Sequence, residues 1–157
     1  MTRWLDDDEQ RTWRAYLAMS RRLPEALDRQ LRRDAGMSHA YYVVLAMLSE
    51  APDRSLRMSD LAELTNSSPS RLSHAVDRLE ERGWVHRKRS PHDARGSIAV
   101  LTDAGWDVVV SIAPRHVDAV RRVLFDVITP EQRQVMEQIC NQVLDAIAAQ
   151  DERDRPD

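Results

Sequence analysis

The chain has 157 residues and one cysteine, and its 23 lysine and arginine residues face 26 aspartate and glutamate residues, giving a formal net charge of −3. This length suits one domain, residues 1–157, whose core can fold without disulfides. A single cysteine excludes a disulfide framework within the chain and a thiolate-rich metal site. Since the sequence shows neither a secretory signal nor an apolar run long enough to span a bilayer, we expect a cytoplasmic protein with no membrane partner.

Positive charge is concentrated in one block of the chain. Residues 67–97 carry 7 basic and 4 acidic side chains, whereas residues 1–66 carry 10 and 11, and residues 98–157 carry 6 and 11. The block therefore has a net charge of +3 (7 − 4) inside an acidic chain. Such a local field favours an anionic partner, although an enzyme for an anionic substrate would show the same asymmetry.

Helical periodicity dominates the first part of the chain. The first predicted helix carries an apolar stripe made of Trp13, Tyr16, Leu17, Leu23, Leu27 and Leu31. Three aspartates, residues 6–8, suit the positive end of its dipole, and Pro24 predicts a kink or a break. A second helix is expected to begin after the N-cap Ser38 and to end at Ala51-Pro52.

Two further helices are predicted on either side of a tight turn, residues 65–67. We expect Ser59 to cap the third helix, and Ser68 to cap a fourth helix whose first residue is Pro69. Gly83 is expected to end the fourth helix. The apolar residues expected to face inward are Leu61, Ala62 and Leu64 on the third helix and Leu72, Ala75, Val76 and Leu79 on the fourth.

The pattern then changes to alternation, which predicts strands at residues 84–89 and 97–101. The turn residues between them indicate a hairpin with a long, basic tip. Thr102 is expected to cap a fifth helix, and the segment 129–132, Thr-Pro-Glu-Gln, predicts a capping box at the start of a sixth. The sixth helix places Val135, Ile139, Val143 and Ile147 on one stripe.

A helix, a tight turn, a second helix and a basic hairpin follow one another in the order of a winged helix-turn-helix, over residues 56–105. The major groove of double-stranded DNA admits one helix, whose first turns reach base edges and phosphates. Arg71 suits bidentate recognition of guanine, and Arg78 is better placed for phosphate. The polar residues that the fourth helix would present are Ser70, Arg71, Ser73, His74 and Arg78. A merely solvated helix face is the alternative interpretation.

The hairpin adds a second set of candidate DNA contacts. We expect them from Arg87, Arg89 and Arg95, with Asp93 holding the guanidinium of Arg95 in one pose. An arginine ordered in this way can enter a narrow minor groove, where the negative potential is enhanced. An ordinary surface turn with a weak ion pair is the alternative.

The stretch from Leu56 to Gly105 resembles the MarR family of bacterial transcriptional regulators. The clearest match is D-A-R-G-S-I-A-V-L-T-D-A-G, Asp93 to Gly105, which keeps the family pattern Asp-x-Arg, five residues, Leu-Thr, two residues, Gly. R-M-S-D-L-A before the turn and V-D-R-L-E-E-R-G-W-V after it are also typical of the family. The segment Pro69-Ser70-Arg71 lies where family members vary, so the operator sequence is not predicted.

The resemblance implies a mainly α fold of about six helices with a small β-hairpin wing. It also implies a homodimer, formed through residues 1–35 and 103–150, that binds an inverted-repeat operator. In such regulators the fourth helix reads the major groove and the wing arginine, here Arg95, the minor groove. The apolar stripes of the terminal helices support dimerisation independently, since pairing would cover them and set two reading helices about one DNA turn, ~34 Å, apart.

The resemblance further implies a small-molecule effector, often an aromatic acid or a phenol, bound between the dimer helices and the reading head. Aromatic residues at helical spacing are more often core, which is our expectation for each candidate, so no ligand-binding residue is assigned. The candidates are Trp13, Tyr16, His39, Tyr41 and Tyr42. The function expected is a repressor of neighbouring genes that an effector releases from DNA.

Other functions are weaker predictions. A redox-responsive regulator would use Cys140, but its neighbours Ile139 and Val143 favour a buried apolar role. A zinc-responsive regulator would need histidines at the spacing of zinc ligands, which the sequence lacks, so no metal or cofactor is expected. The histidines are His39, His74, His86, His92 and His116, of which His86 and His92 are expected near phosphates. No nucleophile elbow, phosphate loop or metal triad favours an enzyme, and a winged helix used for protein contacts remains as an alternative.

Overall fold

The structure is a computed structural model that describes residues 1–90 and 96–154. Six α-helices and three β-strands lie within these residues, which confirms the mainly helical prediction and adds one strand. The elements are α1 (Asp7–Ala35), α2 (His39–Glu50), β1 (Ser55–Arg57), α3 (Met58–Leu64), α4 (Pro69–Glu81), β2 (Val85–Arg89), β3 (Ser97–Leu101), α5 (Asp103–Val123) and α6 (Pro130–Arg153). The chain divides into two compact units, Met1–Ala119 and Val120–Asp157.

Helix α1 begins with a capping box and runs without a break from Asp7 to Ala35. The Asp6 carboxylate accepts hydrogen bonds from the N–H groups of Asp8 and Glu9, while the Glu9 carboxylate accepts one from the Asp6 N–H. Of the kink or break predicted at Pro24, the break is wrong, because the helix continues through this residue. Proline removes a single backbone hydrogen bond, whereas the buried Leu27 and the turns after it hold the helix against the core.

Helix α3 starts two residues earlier than predicted, at Met58, and Ser59 does not cap it. Arg57 is the N-cap residue and makes no side-chain cap, while the Ser59 hydroxyl donates to Asp60 Oδ1 at 3.0 Å. The cause is β1, which pairs with β3 and leads directly into the helix. The predicted burial of Leu64 is also wrong, since this last residue of a seven-residue helix has 58% of its surface exposed.

The three strands form one antiparallel sheet in the order β1-β3-β2. In the β2–β3 hairpin, Val85 is paired with Leu101 and Arg89 with Ser97, as the predicted wing requires. Beneath it, the predicted inward residues of α4 are all buried and join one core with residues of α2, α3 and the sheet. The buried residues of α4 are Leu72, Ala75, Val76 and Leu79. This packing fixes the helix so that its opposite face points outward.

Two predicted apolar surfaces are exposed within their own units. In the first unit Trp13 and Tyr16 stack at 5.8 Å between ring centroids but remain about half exposed, so their predicted core role is wrong, whereas Tyr42 is buried. In the second unit the predicted capping box of Thr129 is confirmed, and none of the described residues of α6 is buried. Cys140 is therefore exposed, against the prediction. Both incorrect predictions concern surfaces that the described residues leave exposed.

Candidate nucleic-acid interface

The turn between α3 and α4 sets the start of the candidate reading helix. Asn66 takes a left-handed conformation with φ of 47°, which asparagine tolerates better than most residues. The N–H of Ser67 donates to the carbonyl of Ala62 at 2.9 Å, and the Ser68 hydroxyl accepts the N–H of Arg71 at 3.3 Å. The predicted Ser68 cap is thus confirmed.

Four predicted contact residues lie on the exposed face of α4. Ser70, Arg71 and His74 occupy its first two turns, and all three are exposed. Arg78 follows one turn later, where its guanidinium donates to Glu81 Oε2 at 2.8 Å. This hydrogen bond raises the pKa of the Arg78 guanidinium, which stays charged. The face therefore combines two cations with side chains that can donate and accept single hydrogen bonds.

Two more residues predicted to contact DNA, Ser73 and Arg87, are hydrogen-bonded to each other. Arg87 Nη1 donates to Asp77 Oδ1 and Glu80 Oε2, each at 2.6 Å. Its Nη2 donates to the carbonyl oxygen of Ser73 at 2.9 Å and to the Ser73 hydroxyl at 3.3 Å. The Arg87 side chain is only 24% exposed. Because these acceptors occupy its terminal N–H groups, the guanidinium joins the wing to α4.

Strand β2 carries further exposed polar side chains. Arg89 and His86 are exposed on β2, and the N–H of Ser90 donates to the carbonyl of Gly96 at 2.9 Å where the strands end. The predicted contacts Asp93 and Arg95, together with His92, lie outside the described residues. Arg89 is the last residue of β2, so it lies next to the predicted tip of the hairpin.

The Leu-Thr-x-x-Gly part of the wing motif joins the start of α5 to the turn that follows α4. The Thr102 hydroxyl donates to the carbonyl of Gly83 at 2.7 Å and accepts the N–H of Gly105 at 3.0 Å, which confirms its predicted cap of α5. A Cβ atom at Gly105 would overlap the carbonyl oxygen of Trp84. Glycine there lets α5 start directly against the chain that links α4 to the wing.

A cavity of about 340 Å³ lies in the first unit, lined by α1, α5 and the start of the wing. Its polar lining includes Gln30, Asp34, Ser111 and Arg115, and Trp84 contributes an aromatic side. None of the five aromatic and histidine candidates for an effector site is among these described lining residues. Spacing alone did not find this cavity because its walls come from helices distant in the sequence.

His39 and His116, which are far apart in the sequence, lie side by side next to the core. Their rings lie 5.9 Å apart between centroids, and the ring of His116 lies 4.5 Å from that of Tyr42. His116 Nδ1 is 3.0 Å from Gln30 Oε1, and the backbone N–H of His39 donates to Asp28 Oδ1 at 2.9 Å. Burial lowers the pKa of both imidazoles, and the pKa of His116 is lowered further by His39.

The described residues contain neither a candidate metal site nor a candidate membrane-spanning helix. No group of three or more histidine, cysteine, aspartate or glutamate side chains is arranged there to hold a metal ion. Across the same residues, no helix combines the length and the apolar character needed to cross a bilayer.

Comparisons with known proteins agree on one family. A model described as the MarR family matches residues 35–96. The transcriptional repressor MprA of Escherichia coli is 24% identical over 131 residues, which cover 83% of this chain and 73% of that protein.

Solved structures extend the similarity to nearly the whole chain. Sco3205, a MarR family transcriptional regulator from Streptomyces coelicolor crystallised in complex with DNA, is 50% identical with a TM-score of 0.88, covering 92% of this chain and 91% of its own. AbsC, a MarR family transcriptional regulator of the same organism, is 37% identical with a TM-score of 0.88, covering 94% and 99%. These relatives are transcriptional regulators and not enzymes, and the chain belongs to the MarR family of transcriptional regulators.

Proposed function

We propose that this chain is a homodimeric, sequence-specific DNA-binding repressor that acts in the cytoplasm on neighbouring genes and is released by a small-molecule effector. The observation that carries the proposal is the exposed polar and basic face of α4, held by a buried opposite face and flanked by a basic hairpin. Relatives support it, since Sco3205 was crystallised with DNA and MprA is a transcriptional repressor.

The proposed contacts divide between the two grooves. Arg71 donates bidentately to a guanine in the major groove, where Ser70 and His74 make single hydrogen bonds, and Arg78 binds phosphate. On the wing, Arg89 binds phosphate, while Arg95, oriented by Asp93, enters the minor groove. Ser73 and Arg87 are left out of this set because they bond to each other.

Exposed apolar surface supports the homodimer. On α1, Trp13, Tyr16 and Met19 are exposed, and the α6 stripe of Val135, Ile139, Val143 and Ile147 is about half exposed. Contiguous apolar surface of this kind marks an interaction site in a soluble protein. A symmetric pair presents two reading helices about one turn of DNA, ~34 Å, apart, which matches an inverted repeat.

The cavity between α1, α5 and Trp84 is the proposed effector site. Its volume of about 340 Å³ lies at the small end of the range for ligand pockets, so it suits a compact aromatic or phenolic molecule. PcaV from Streptomyces coelicolor, 25% identical with a TM-score of 0.69, was crystallised in complex with its natural ligand. Phenolic acids that bind in the cavity should release the protein from its operator.

The test uses duplexes that the parent protein selects from a random-sequence library. Arg71→Ala should cost roughly 1–3 kcal/mol of binding free energy and relax the preference at one base pair. Arg78→Ala should weaken binding to all sequences alike, and should lower the salt slope, the slope of log affinity against log salt concentration, by about 1. Arg95→Ala should weaken binding without loss of helix. Arg133→Ala, outside the basic block, is the control. Failure to enrich any duplex, or parental affinity and preference in the Arg71 variant, contradicts the proposal.

A further inference from the structure

Arg87 belongs to the basic block by sequence, but its contacts set it apart from the other cations of the wing. Its two terminal nitrogens make four hydrogen bonds, all to residues of α4. A guanidinium has five N–H donors, of which these nitrogens carry four. A phosphate can reach those four donors only by displacing a contact that the protein already makes.

We propose that Arg87 is a positioning residue, which contributes to DNA affinity by fixing the wing relative to the reading helix and not by touching DNA. The inference rests on the proposed DNA-binding function. The positive charge of Arg87 then lies between β2 and α4, whereas the charge of Arg89, two residues further along the same strand, is exposed.

The geometry of the contacts supports this role. The acceptors Ser73, Asp77 and Glu80 recur at helical spacing, so they form one stripe along two turns of α4. Glu80 holds β2 twice, through the Arg87 guanidinium and through the backbone N–H of Arg87, each at 2.6 Å. On its other edge β2 pairs with β3, where Ala99 opposite Arg87 is fully buried. The strand is thus held between α4 and β3 at the residue before the exposed basic pair 88–89.

Charge gives the same contacts a second consequence. Asp77 and Glu80 are acidic groups beside a surface that must approach phosphates, and Arg87 is the cation to which both are bonded. By electrostatics alone, removing Glu80 should strengthen DNA binding, because it removes a negative charge. If Glu80 instead anchors the wing through Arg87, its removal should weaken binding. The two interpretations therefore predict opposite signs.

The first experiment compares charge-conserving variants on the duplex that the parent selects from a random library. Lysine keeps the charge of Arg87 but replaces its planar fork by one ammonium group, which cannot reproduce four directed hydrogen bonds. We expect Arg87→Lys and Arg87→Met to lose affinity alike, by about tenfold or more, with an unchanged salt slope. The control Arg133→Lys, outside the basic block, should keep the parental affinity, whereas Arg89→Met, which removes a proposed phosphate contact, should lower the slope by about 1. Parental affinity of Arg87→Lys, or a lower slope for Arg87→Met, overturns the inference.

The second experiment measures Glu80→Ala on the same duplex, and tighter binding than the parent overturns the inference. A third readout needs no DNA, since release of the strand should speed amide hydrogen exchange at residues 85–89 of Arg87→Lys but not of Arg89→Lys. Unchanged exchange also overturns the inference. If the parent selects no duplex while exchange rises as expected, the DNA-binding proposal fails and the positional role of Arg87 stands.

Discussion

The contact between the start of α5 and the chain before the wing makes Gly105→Ala a severe substitution. The added Cβ would overlap the carbonyl oxygen of Trp84, and would lie 2.7 Å from Leu101 Cδ1 and 3.0 Å from the Trp84 carbonyl carbon. The Leu101 methyl can rotate away, but the backbone of Trp84 cannot. That carbonyl also accepts the N–H of Thr102 at 3.0 Å, so displacing it weakens a hydrogen bond.

The expected cost follows from these contacts. Overpacking against backbone costs up to about 3 kcal/mol, and a weakened hydrogen bond adds about 1 kcal/mol. Alanine would otherwise gain about 1 kcal/mol over glycine inside a helix. The free energy of unfolding should therefore fall by about 3 kcal/mol, which lowers Tm by roughly 10 °C in a domain of this size.

Urea unfolding followed by far-UV circular dichroism measures this loss. The matched control is Gly36→Ala, where φ is +60° but nothing lies within 4 Å of the added Cβ. Only backbone strain acts there, at a cost of about 1–2 kcal/mol. Parental stability of Gly105→Ala, or a stability above that of Gly36→Ala, would show that the Trp84 backbone does not restrict this position.

Three further predictions concern the histidine pair, the cap of α5 and the α6 stripe. Burial lowers the pKa of His39 and His116 in the folded state, so the unfolded chain binds more protons. The free energy of unfolding should therefore fall as pH drops below the unfolded imidazole pKa of 6.5. In thermal melts of a His116→Gln variant, stability should fall less steeply with pH than in the parent. Thr102→Val should cost about 1 kcal/mol or more in urea unfolding, since it removes both hydroxyl hydrogen bonds, and parental stability would contradict their role. Ile139→Glu should shift the protein to monomers in analytical ultracentrifugation, whereas Gln138→Glu, with the same added charge, should stay dimeric; a dimeric Ile139→Glu protein would remove α6 from the interface.

Sequence reasoning located the elements of the reading head because their signals are local. Ser68 and Pro69 start α4, its apolar stripe gives the buried face, and alternation gives the hairpin. The exposed positions of Ser70, Arg71 and His74 follow from that stripe. The reading face of a helix can be predicted once its buried face is known.

The remaining features depend on contacts between residues distant in the sequence. Strand β1 has only three residues, and its pairing with β3 moved the start of α3 to Met58. The ion pairs of Arg87 with Asp77 and Glu80 were not predicted, because a charge count does not show which charged residues are in contact. The exposure of Cys140 was missed for another reason, since an apolar stripe predicts burial without saying which chain provides it.

Hydroxyl-radical footprinting on the selected duplex shows whether a dimer reads two half-sites. We expect two protected segments on one face of the DNA, about one helical turn or ~34 Å apart, each flanked by a protected minor-groove stretch that Arg95→Ala abolishes. A single protected segment, or protection spread evenly along the duplex regardless of sequence, would rule out a dimer that reads DNA in this way.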